Sequence, residues 1–372
     1  MSRGLSYLPV EELEGRPHVL VDGAARPGSV LTLSHWPQSP TPPVLARDLS
    51  AQIVFAFVHA ARGDDITLRE ARGRDRRRSG IELKAAIAAC GRAEAVTNDH
   101  FDEDGLVSVF AMCDPEAALH HEELLVEVAS CGDFGVVRSR QAARIAFSIA
   151  PIGQEAGQAS DAERPGSWSG PRYRAVLGQM VELIEHTERF ARYWQHDDAD
   201  LEATLDDLGA GRVRIEEVPE VDLAVVTRVS GPPDGREAGG DLSGRPDAIN
   251  QVALHSTTAA PRILVFDGGR CELYLRYETW VRYVSRPVPL RPDLAPLAEQ
   301  LSALEPSGLR WGADGIGSLV TGMRPDGDRR TDLAPELVSR TVIDYLKSAP
   351  PAWDPFRAGG SLIPTSERRR PK

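Results

Sequence analysis

The sequence predicts an α/β protein, with a mainly parallel sheet in an N-terminal domain and a second, smaller α+β domain. Three observations support this prediction. Over the first 150 residues, short apolar runs alternate with segments of helical spacing, a pattern typical of a parallel sheet covered by helices. Residues 151–171 are rich in Gly, Ser and Pro and show no period, as expected of a linker. Beyond residue 209, two apolar runs are joined by a Gly-rich turn, which indicates a hairpin.

Length and composition set the domain plan. A chain of 372 residues suits two domains on a prior of roughly 150 residues each. Its 41% hydrophobic and 26% charged residues are typical of a globular protein. We assign residues 1–150 to an α/β domain and residues 151–209 to a linker with connecting helices. Residues 210–372 are assigned to an α+β domain.

Charge and cysteine content limit the classes of partner and the compartment that we expect for the protein. A formal net charge of −12 argues against a protein that coats duplex nucleic acid or binds an anionic membrane. A small phosphate-containing substrate that reaches a metal ion remains allowed. The four cysteines lack C-x-x-C spacing, which indicates reduced thiols in a cytoplasmic protein. We see no signal peptide and no apolar run near 18 residues, so no membrane span is expected. A homodimer is compatible with the sequence, which leaves the oligomeric state open.

Two predicted strands open the first domain, at residues 17–22 and 29–35, and they end in Asp22 and His35. Polar residues at the carboxyl ends of buried strands are where open α/β sheets place their ligands. The alternative is that Asp22 shapes its own turn and His35 bonds a loop carbonyl.

Helices are predicted at residues 51–61 and 81–90, followed by a strand at residues 95–97. The charged stretch between the helices, residues 62–80, indicates a solvated loop. The alternative is a lid whose arginines, at positions 72–78, reach a phosphate.

The densest group of metal-ligand residue types lies in residues 98–108. His100, Asp102 and Asp104 alternate with other residues, so they share one face if the segment is extended. Phe101 would then point into the core, and Gly105 would make a tight turn. One imidazole and two carboxylates suit Mn2+ or Mg2+. The alternative is an Asp-rich turn that caps the following helix.

The next helix is predicted to begin at Asp114-Pro115, run to Cys131 and stop at Gly132. Asp133 would lie just beyond its end, either as a turn residue or as a further metal ligand. A helix at residues 139–150 closes the domain.

The second half is predicted to contain more strands than the first. Its predicted helices cover residues 172–196, 200–208, 292–304 and 335–346, and its predicted strands cover residues 212–218, 222–229, 262–266 and 271–275.

Residues 100–105, His-Phe-Asp-Glu-Asp-Gly, resemble the first motif, H-x-D-x-D-G, of the DHH phosphoesterases. The resemblance implies a pair of Mn2+ ions and a parallel α/β domain linked to a smaller substrate-binding domain. It also implies substrates that are short nucleic acids, nucleotides or polyphosphate, and it matches Asp133 to a later single aspartate of the family. No Asp-His-His triplet occurs in the chain, and its closest counterpart, Ser34-His35-Trp36, precedes the motif. The whole chain also resembles an uncharacterised bacterial family with the same H-F-D-E-D-G signature.

Two functional hypotheses follow. In the first, the chain is a phosphoesterase that uses Mn2+ or Mg2+ to activate a water against a nucleotide, a short oligonucleotide or another small phosphoester. Asp104 and His35 are then the predicted catalytic residues, and Arg276 is predicted to bind the substrate. The predicted metal ligands are His100, Asp102, Asp104, Asp22 and Asp133. In the second hypothesis, the chain is a non-catalytic protein on the same scaffold that binds a nucleotide or a partner.

Overall fold

The computed structural model describes residues 4–64, 74–161, 169–229 and 249–368. The chain divides into two units. The first comprises Met1–Asp198 together with Arg282–Arg286, and the second comprises Ala199–Val281 together with Pro287–Lys372. The predicted α/β fold class is confirmed, with a parallel sheet in the first unit and a mixed sheet in the second. The boundary between the units lies at Asp198, within residues 151–209, which were predicted to be the linker and connecting helices.

A four-stranded parallel sheet forms the centre of the first unit. Its strands run in the order β1-β4-β2-β3 and are β1 (Ser6–Tyr7), β2 (His18–Val21), β3 (Ser29–Leu33) and β4 (Ala95–Thr97). Every residue of β2 and β4 is buried, as expected of parallel strands covered on both faces.

Eight α-helices, and the start of a ninth, belong to the described part of the first unit. They are α1 (Ser50–Arg62), α2 (Arg74–Cys90), α3 (Glu103–Cys113), α4 (Pro115–His120), α5 (Glu122–Phe134), α6 (Arg140–Asp161), α7 (Ser169–Leu177), α8 (Met180–Glu185) and α9 (Ala191–Gly209), which crosses the boundary. The apolar stripe of α1 is buried, as its spacing predicted, and α1 ends at Gly63 in the left-handed conformation.

The predicted linker at residues 151–171 is wrong for most of its described length. Helix α6 continues to Asp161 with Pro151 inside it, and α7 begins at Ser169. Ile149 and Ile152 are buried beside Pro151, so packing holds the helix where composition alone suggested a loop. Residues 162–168 lie outside the described part of the chain.

The predicted single helix at residues 172–196 is interrupted. Helix α7 ends at Leu177, directly before Gly178, and α8 ends before a short 3-10 turn at Thr187–Phe190. Gly lowers helix stability, which accounts for the first break. The predicted short helix at residues 200–208 is the continuation of α9.

The helix predicted from Pro115 to Cys131 also differs. It breaks at His121, and α5 continues past Gly132 to end at Gly135, where φ is +63°. A Cβ at Gly132 would overlap the side chain of Glu103 on α3. Gly132 therefore serves close helix packing, and the stop falls at Gly135.

The second unit contains a six-stranded mixed sheet in the order β10-β11-β8-β7-β6-β5 and a two-stranded sheet of β9 and β12. The strands are β5 (Val213–Val218), β6 (Leu223–Arg228), β7 (Arg262–Asp267), β8 (Arg270–Leu275), β9 (Arg291–Pro292), β10 (Trp311–Ala313), β11 (Thr321–Pro325) and β12 (Pro351–Trp353), and the helices are α10 (Gln251–Thr257), α11 (Ala295–Leu304) and α12 (Pro335–Ser348). The predicted hairpin is confirmed: β7 pairs antiparallel with β8 through Gly268 and Gly269, both at positive φ.

Short 3-10 turns complete the described secondary structure, at Val10–Glu12, Pro43–Leu45, Thr187–Phe190, Pro219–Val221, Tyr277–Thr279, Asp326–Asp328 and Thr365–Glu367. Among the helices of the described residues, none has the length and apolar character needed to cross a bilayer.

Candidate metal centre

Three neighbouring strands of the first unit carry the polar cluster at their carboxyl ends. The sheet order places β4, β2 and β3 side by side, although β4 is distant in sequence. Asp22 directly follows β2, His35 lies just beyond β3, and His100 lies just beyond β4. Because the strands are parallel, these three side chains meet at one edge of the sheet.

Asp22 lies between the two histidines. Its Oδ1 is 3.4 Å from His35 Nε2, and its Oδ2 is 3.2 Å from His100 Nε2. The Ser50 hydroxyl donates a 2.7 Å hydrogen bond to Oδ1. The backbone of Asp22 is left-handed, at φ +45°, a conformation that Asp tolerates better than most residues. One buried carboxylate therefore faces two imidazoles with different oxygens.

His35 is oriented by a backbone contact on its far side. Its Nδ1 bonds the carbonyl of Asp48, which directs Nε2 into the cluster. Nε2 lies 3.4 Å from Asp133 Oδ2 and 3.8 Å from Asp104 Oδ2. Burial lowers the pKa of His35, but the carboxylates of Asp22 and Asp104 outweigh it, so that the pKa is raised.

Asp104 lies in the first turn of α3 and is fully buried. Its carboxylate accepts hydrogen bonds from the backbone N–H groups of Ser50 (2.8 Å) and Ala51 (2.7 Å), at the first turn of α1. Burial and the nearby charge of Asp22 raise the pKa of Asp104 to about 7. The Asp104 carboxylate therefore links the first turn of α3 to the first turn of α1, beside His35.

Asp102 is the N-cap of α3, and the capping alternative is correct for its Oδ1, which accepts a 2.8 Å bond from Gly105 N–H. Its Oδ2 is 2.7 Å from His100 Nε2. The other ring nitrogen of His100 is 3.1 Å from Asp99 Oδ1. Burial lowers the pKa of His100, but the carboxylates of Asp102, Asp22 and Asp99 outweigh it, and the net shift is upward.

The predicted extended alternation of His100, Asp102 and Asp104 is wrong, because the helix begins at Glu103 and includes Gly105. Asp104 consequently faces His35 rather than His100. Phe101 is only partly buried and packs edge-on against Tyr173, with ring centroids 5.2 Å apart.

The nitrogen and oxygen atoms that could coordinate a metal ion form two overlapping groups, Asp22-His100-Asp102 and Asp22-His35-Asp104, and within each group they lie within 4.8 Å of one another. Asp133 is in neither group but approaches His35 from the last turn of α5. Its Oδ2 is buried and accepts no hydrogen bond from the described residues. Burial and the charges of Asp104 and Asp22 raise the pKa of Asp133 well above its usual range.

Sequence reasoning gave Asn98 and Ser50 no role in the site. The fully buried Asn98 donates to the carbonyls of Val21 (3.1 Å) and Asp22 (3.0 Å), and its Oδ1 accepts from His100 N–H at 2.7 Å. It thus ties the end of β4 to the end of β2. Ser50 bonds Asp22 and also accepts from the backbone N–H of His35 at 3.2 Å. An asparagine directly after an apolar run indicates a polar residue at a strand end, but the groups that it bonds depend on the strand order, which the sequence does not show.

Two further elements were predicted to bind phosphate. Arg276 lies in the second unit and is 3% exposed; it donates to the carbonyl of Thr258 (3.0 Å) and pairs with buried Glu278 (3.1 Å). Arg276 is thus engaged in buried contacts within the second unit, and substrate binding by Arg276 stays a prediction. Within the arginine-rich stretch, residues 65–73 lie outside the described part, and α2 already includes Arg78, which pairs with Glu82.

Comparison with known proteins identifies the family. No curated protein and no solved structure matches the chain. A model of one protein family matches residues 3–357, nearly the whole chain, and the chain therefore belongs to DUF6687, a family of unknown function.

Proposed function

We propose that the chain is a divalent-metal-dependent phosphoesterase, with Mn2+ or Mg2+ held at the Asp22 cluster. The observation that carries the proposal is the position of Asp22, whose two oxygens face two separate ligand groups. A carboxylate shared in this way suits two ions at the spacing of about 3.5–4 Å that is common in phosphate-cleaving enzymes.

The ligand chemistry fits such ions. Imidazole nitrogens mixed with carboxylate oxygens favour Mn2+, and the carboxylates also suit Mg2+. The side chains of Asp22, Asp104 and Asp133 are buried, and the cationic side chains that pair with them among the described residues are the imidazoles of His35 and His100. Buried carboxylates are costly unless they are paired, protonated or bound to a metal. Divalent cations would supply the missing positive charge.

Each residue has a task in this proposal. Asp22, His35 and Asp104 would hold one ion, and Asp22, His100 and Asp102 the other, with Asp133 beside His35. Two bound ions would stabilise charge on a phosphate and lower the pKa of a water at neutral pH. The Asp48 carbonyl and the Asp99 carboxylate orient the imidazoles of His35 and His100, respectively, through the Nδ1 atom of each ring. Such contacts typically fix the tautomer of a histidine ligand and raise metal affinity.

The resemblance of residues 100–105 to the DHH motif agrees with this proposal. The motif follows Asp22 and His35 in sequence, but β4 lies beside β2, so the strand order brings the motif next to these two residues. In the Ser34-His35-Trp36 segment only His35 offers a ligand; the Ser34 hydroxyl instead accepts from Gly23 N–H at 3.0 Å. The four free thiols suit the reducing cytoplasm, which is the compartment we propose.

Metal stoichiometry tests the proposal. Calorimetric titration of metal-free protein with Mn2+ should show two ions in the wild type. Asp102→Asn and Asp104→Asn should each lose one ion, and Asp22→Asn should weaken both. Asp206→Asn, at an exposed position, is the matched control and should bind like the wild type. Each ligand substitution should also abolish Mn2+-stimulated hydrolysis of bis(p-nitrophenyl) phosphate.

Two results would count against the enzyme. Wild-type protein that binds no Mn2+ would rule out the metal centre. Wild-type protein that binds two ions but cleaves no ester across nucleotides, short oligonucleotides and pyrophosphate would instead favour a binding protein on this scaffold.

A further inference from the structure

A cavity of about 290 Å3 opens beside the His100 edge of the cluster. Its lining includes Glu11, Arg26, Asp99, His100, Phe101 and Arg172. His100 is a ligand of the proposed metal centre, so a molecule held there by its reacting phosphate would extend into this cavity. Besides the carboxylates of Glu11 and Asp99, the wall carries two arginines, and a guanidinium fork matches the geometry of phosphate oxygens.

Arg26 has a buried guanidinium N–H group that no described residue accepts. It lies between β2 and β3, and its Nη2 donates a 3.2 Å bond to Asp99 Oδ2. Its Nε is buried and has no hydrogen-bond acceptor among the described residues. Asp99 is engaged on its other side by His100, at 3.1 Å. One carboxylate thus separates Arg26 from the imidazole, and Arg26, which lines the cavity, has a buried donor that no described residue accepts.

Arg172 is placed by glycines of α6. A Cβ at Gly157 would lie 3.1 Å from Arg172 Nε, and a Cβ at Gly153 would lie 2.6 Å from the Phe101 ring. These two glycines, four residues apart, lie on one face of α6. The close approach they permit brings the Arg172 chain and the Phe101 ring to the same wall of the cavity.

We infer that Arg26 and Arg172 form a subsite for a second, non-reacting phosphate, which selects substrates that carry two phosphate groups. This inference rests on the proposed function for its role in catalysis, although the subsite can be tested by binding alone. The volume holds a group of nucleoside size, and the aromatic edge of Phe101 offers an apolar contact.

Binding of matched nucleotides tests the subsite without turnover. By calorimetry, thymidine 3′,5′-bisphosphate should bind the Mn2+-treated wild type at least about tenfold more tightly than thymidine 5′-monophosphate. The reason is that hydrogen bonds between a guanidinium group and a phosphate are stronger than those between neutral groups. Arg26→Gln and Arg172→Gln should each remove most of this preference. Arg174→Gln is the control, since Arg174 lies on α7 like Arg172 but pairs with Glu12 at 2.6 Å. Equal affinity of the wild type for the two nucleotides would overturn the inference.

Turnover separates substrate selection from metal positioning. Thymidine 5′-(p-nitrophenyl phosphate) and its 3′-phosphorylated form differ only in the second phosphate. Arg26→Gln should raise KM about tenfold for the 3′-phosphorylated compound and leave kcat for both, and Mn2+ affinity, near the wild-type values. An equal loss on both compounds with weaker Mn2+ binding would show that Arg26 only positions His100, which contradicts the inference. A bisphosphate preference that depends on Arg26, in a protein without turnover, would keep the subsite and reject the phosphoesterase.

Discussion

The side-chain amide of Asn98 donates a 3.0 Å hydrogen bond to the backbone carbonyl of Asp22. The contact joins the ends of two strands that pair directly, β4 and β2, although they are separated in sequence by α1 and α2. The same amide bonds Val21, and its carbonyl receives His100 N–H. One buried side chain therefore sets the spacing between two of the proposed metal ligands.

Asn98→Ala should both destabilise the protein and weaken metal binding. The substitution leaves the buried carbonyls of Val21 and Asp22 without these donors, at a cost of about 1–3 kcal/mol each. We expect urea unfolding to show a loss of roughly 2–4 kcal/mol, and Mn2+ affinity to fall. Asn250→Ala is the control: Asn250 caps α10 in the second unit, so its loss should cost ~1 kcal/mol and leave Mn2+ affinity unchanged. Equal effects of the two substitutions on Mn2+ affinity would contradict the role given to Asn98.

Gly105→Ala should be one of the most damaging small substitutions in the chain. A Cβ at Gly105 would lie 2.6 Å from Asn98 Nδ2 and 2.8 Å from the Tyr173 hydroxyl, so buried groups must shift. We expect a loss of about 1–3 kcal/mol, typical of overpacking, together with weaker Mn2+ binding. Gly80→Ala is the matched control, since its Cβ would meet nothing within 4 Å inside α2. That control should gain about 0.5–1 kcal/mol from helix propensity in thermal unfolding.

Local patterns predicted part of this arrangement. Apolar runs that end in a polar residue placed Asp22 and His35 at the carboxyl ends of strands, and the structure brings their side chains within 3.4 Å. The position of Asp104 was mispredicted, because strand alternation was assumed where the helix had already begun at Glu103. The helix changes the direction of the side chain and sends it to His35.

Long-range contacts were beyond local reasoning. Asn98 reaches Asp22 only because β4 inserts beside β2, and no nearby residue signals that order. Arg282–Arg286 joins the first unit from the far half of the chain, where it bonds the loop after β3: Arg282 N–H donates to the His35 carbonyl at 2.9 Å. The burial of Arg276 in an ion pair with Glu278 was equally beyond local patterns, because an arginine in a buried ion pair and one that binds substrate look alike in sequence.

Asp48→Ala should weaken metal binding without touching a proposed ligand. The Asp48 carboxylate accepts from the backbone N–H groups of Val284 (2.7 Å) and Ser285 (2.9 Å), and its carbonyl receives His35 Nδ1. Loss of the carboxylate should loosen the backbone that orients His35, and such supporting contacts typically change metal affinity 10–100-fold. Asp48→Asn retains an acceptor oxygen and should restore most of the Mn2+ affinity. If calorimetry shows that Asp48→Ala binds Mn2+ as tightly as the wild type, the contacts of the Asp48 carboxylate with Val284 and Ser285 do not affect the metal centre.

Asp198→Asn should destabilise the protein in a pH-dependent way. The Asp198 side chain is 8% exposed, and Arg144 donates to it from Nη2 at 3.1 Å; Arg140 also bonds it through Nε. Burial raises its pKa, but the two guanidinium groups outweigh burial and lower it. Hydrogen bonds to charged groups of this kind contribute about 1.5–3 kcal/mol, which sets the expected loss at neutral pH.

The sign of the pH dependence follows from the lowered pKa. The unfolded carboxyl titrates near ~3.9, so above that pH the stabilisation by Asp198 is fully present. It is lost as the pH falls through the lower folded pKa, because the unfolded state then binds more protons. In urea unfolding, the wild type and Asp198→Asn should differ by a constant amount from pH 7 to about 5 and converge below about 4. Glu188→Gln removes an exposed partner of Arg144 and should cost less than ~1 kcal/mol at any pH. A wild-type advantage over Asp198→Asn that persists unchanged to pH 3 would show that charge is not what Asp198 contributes.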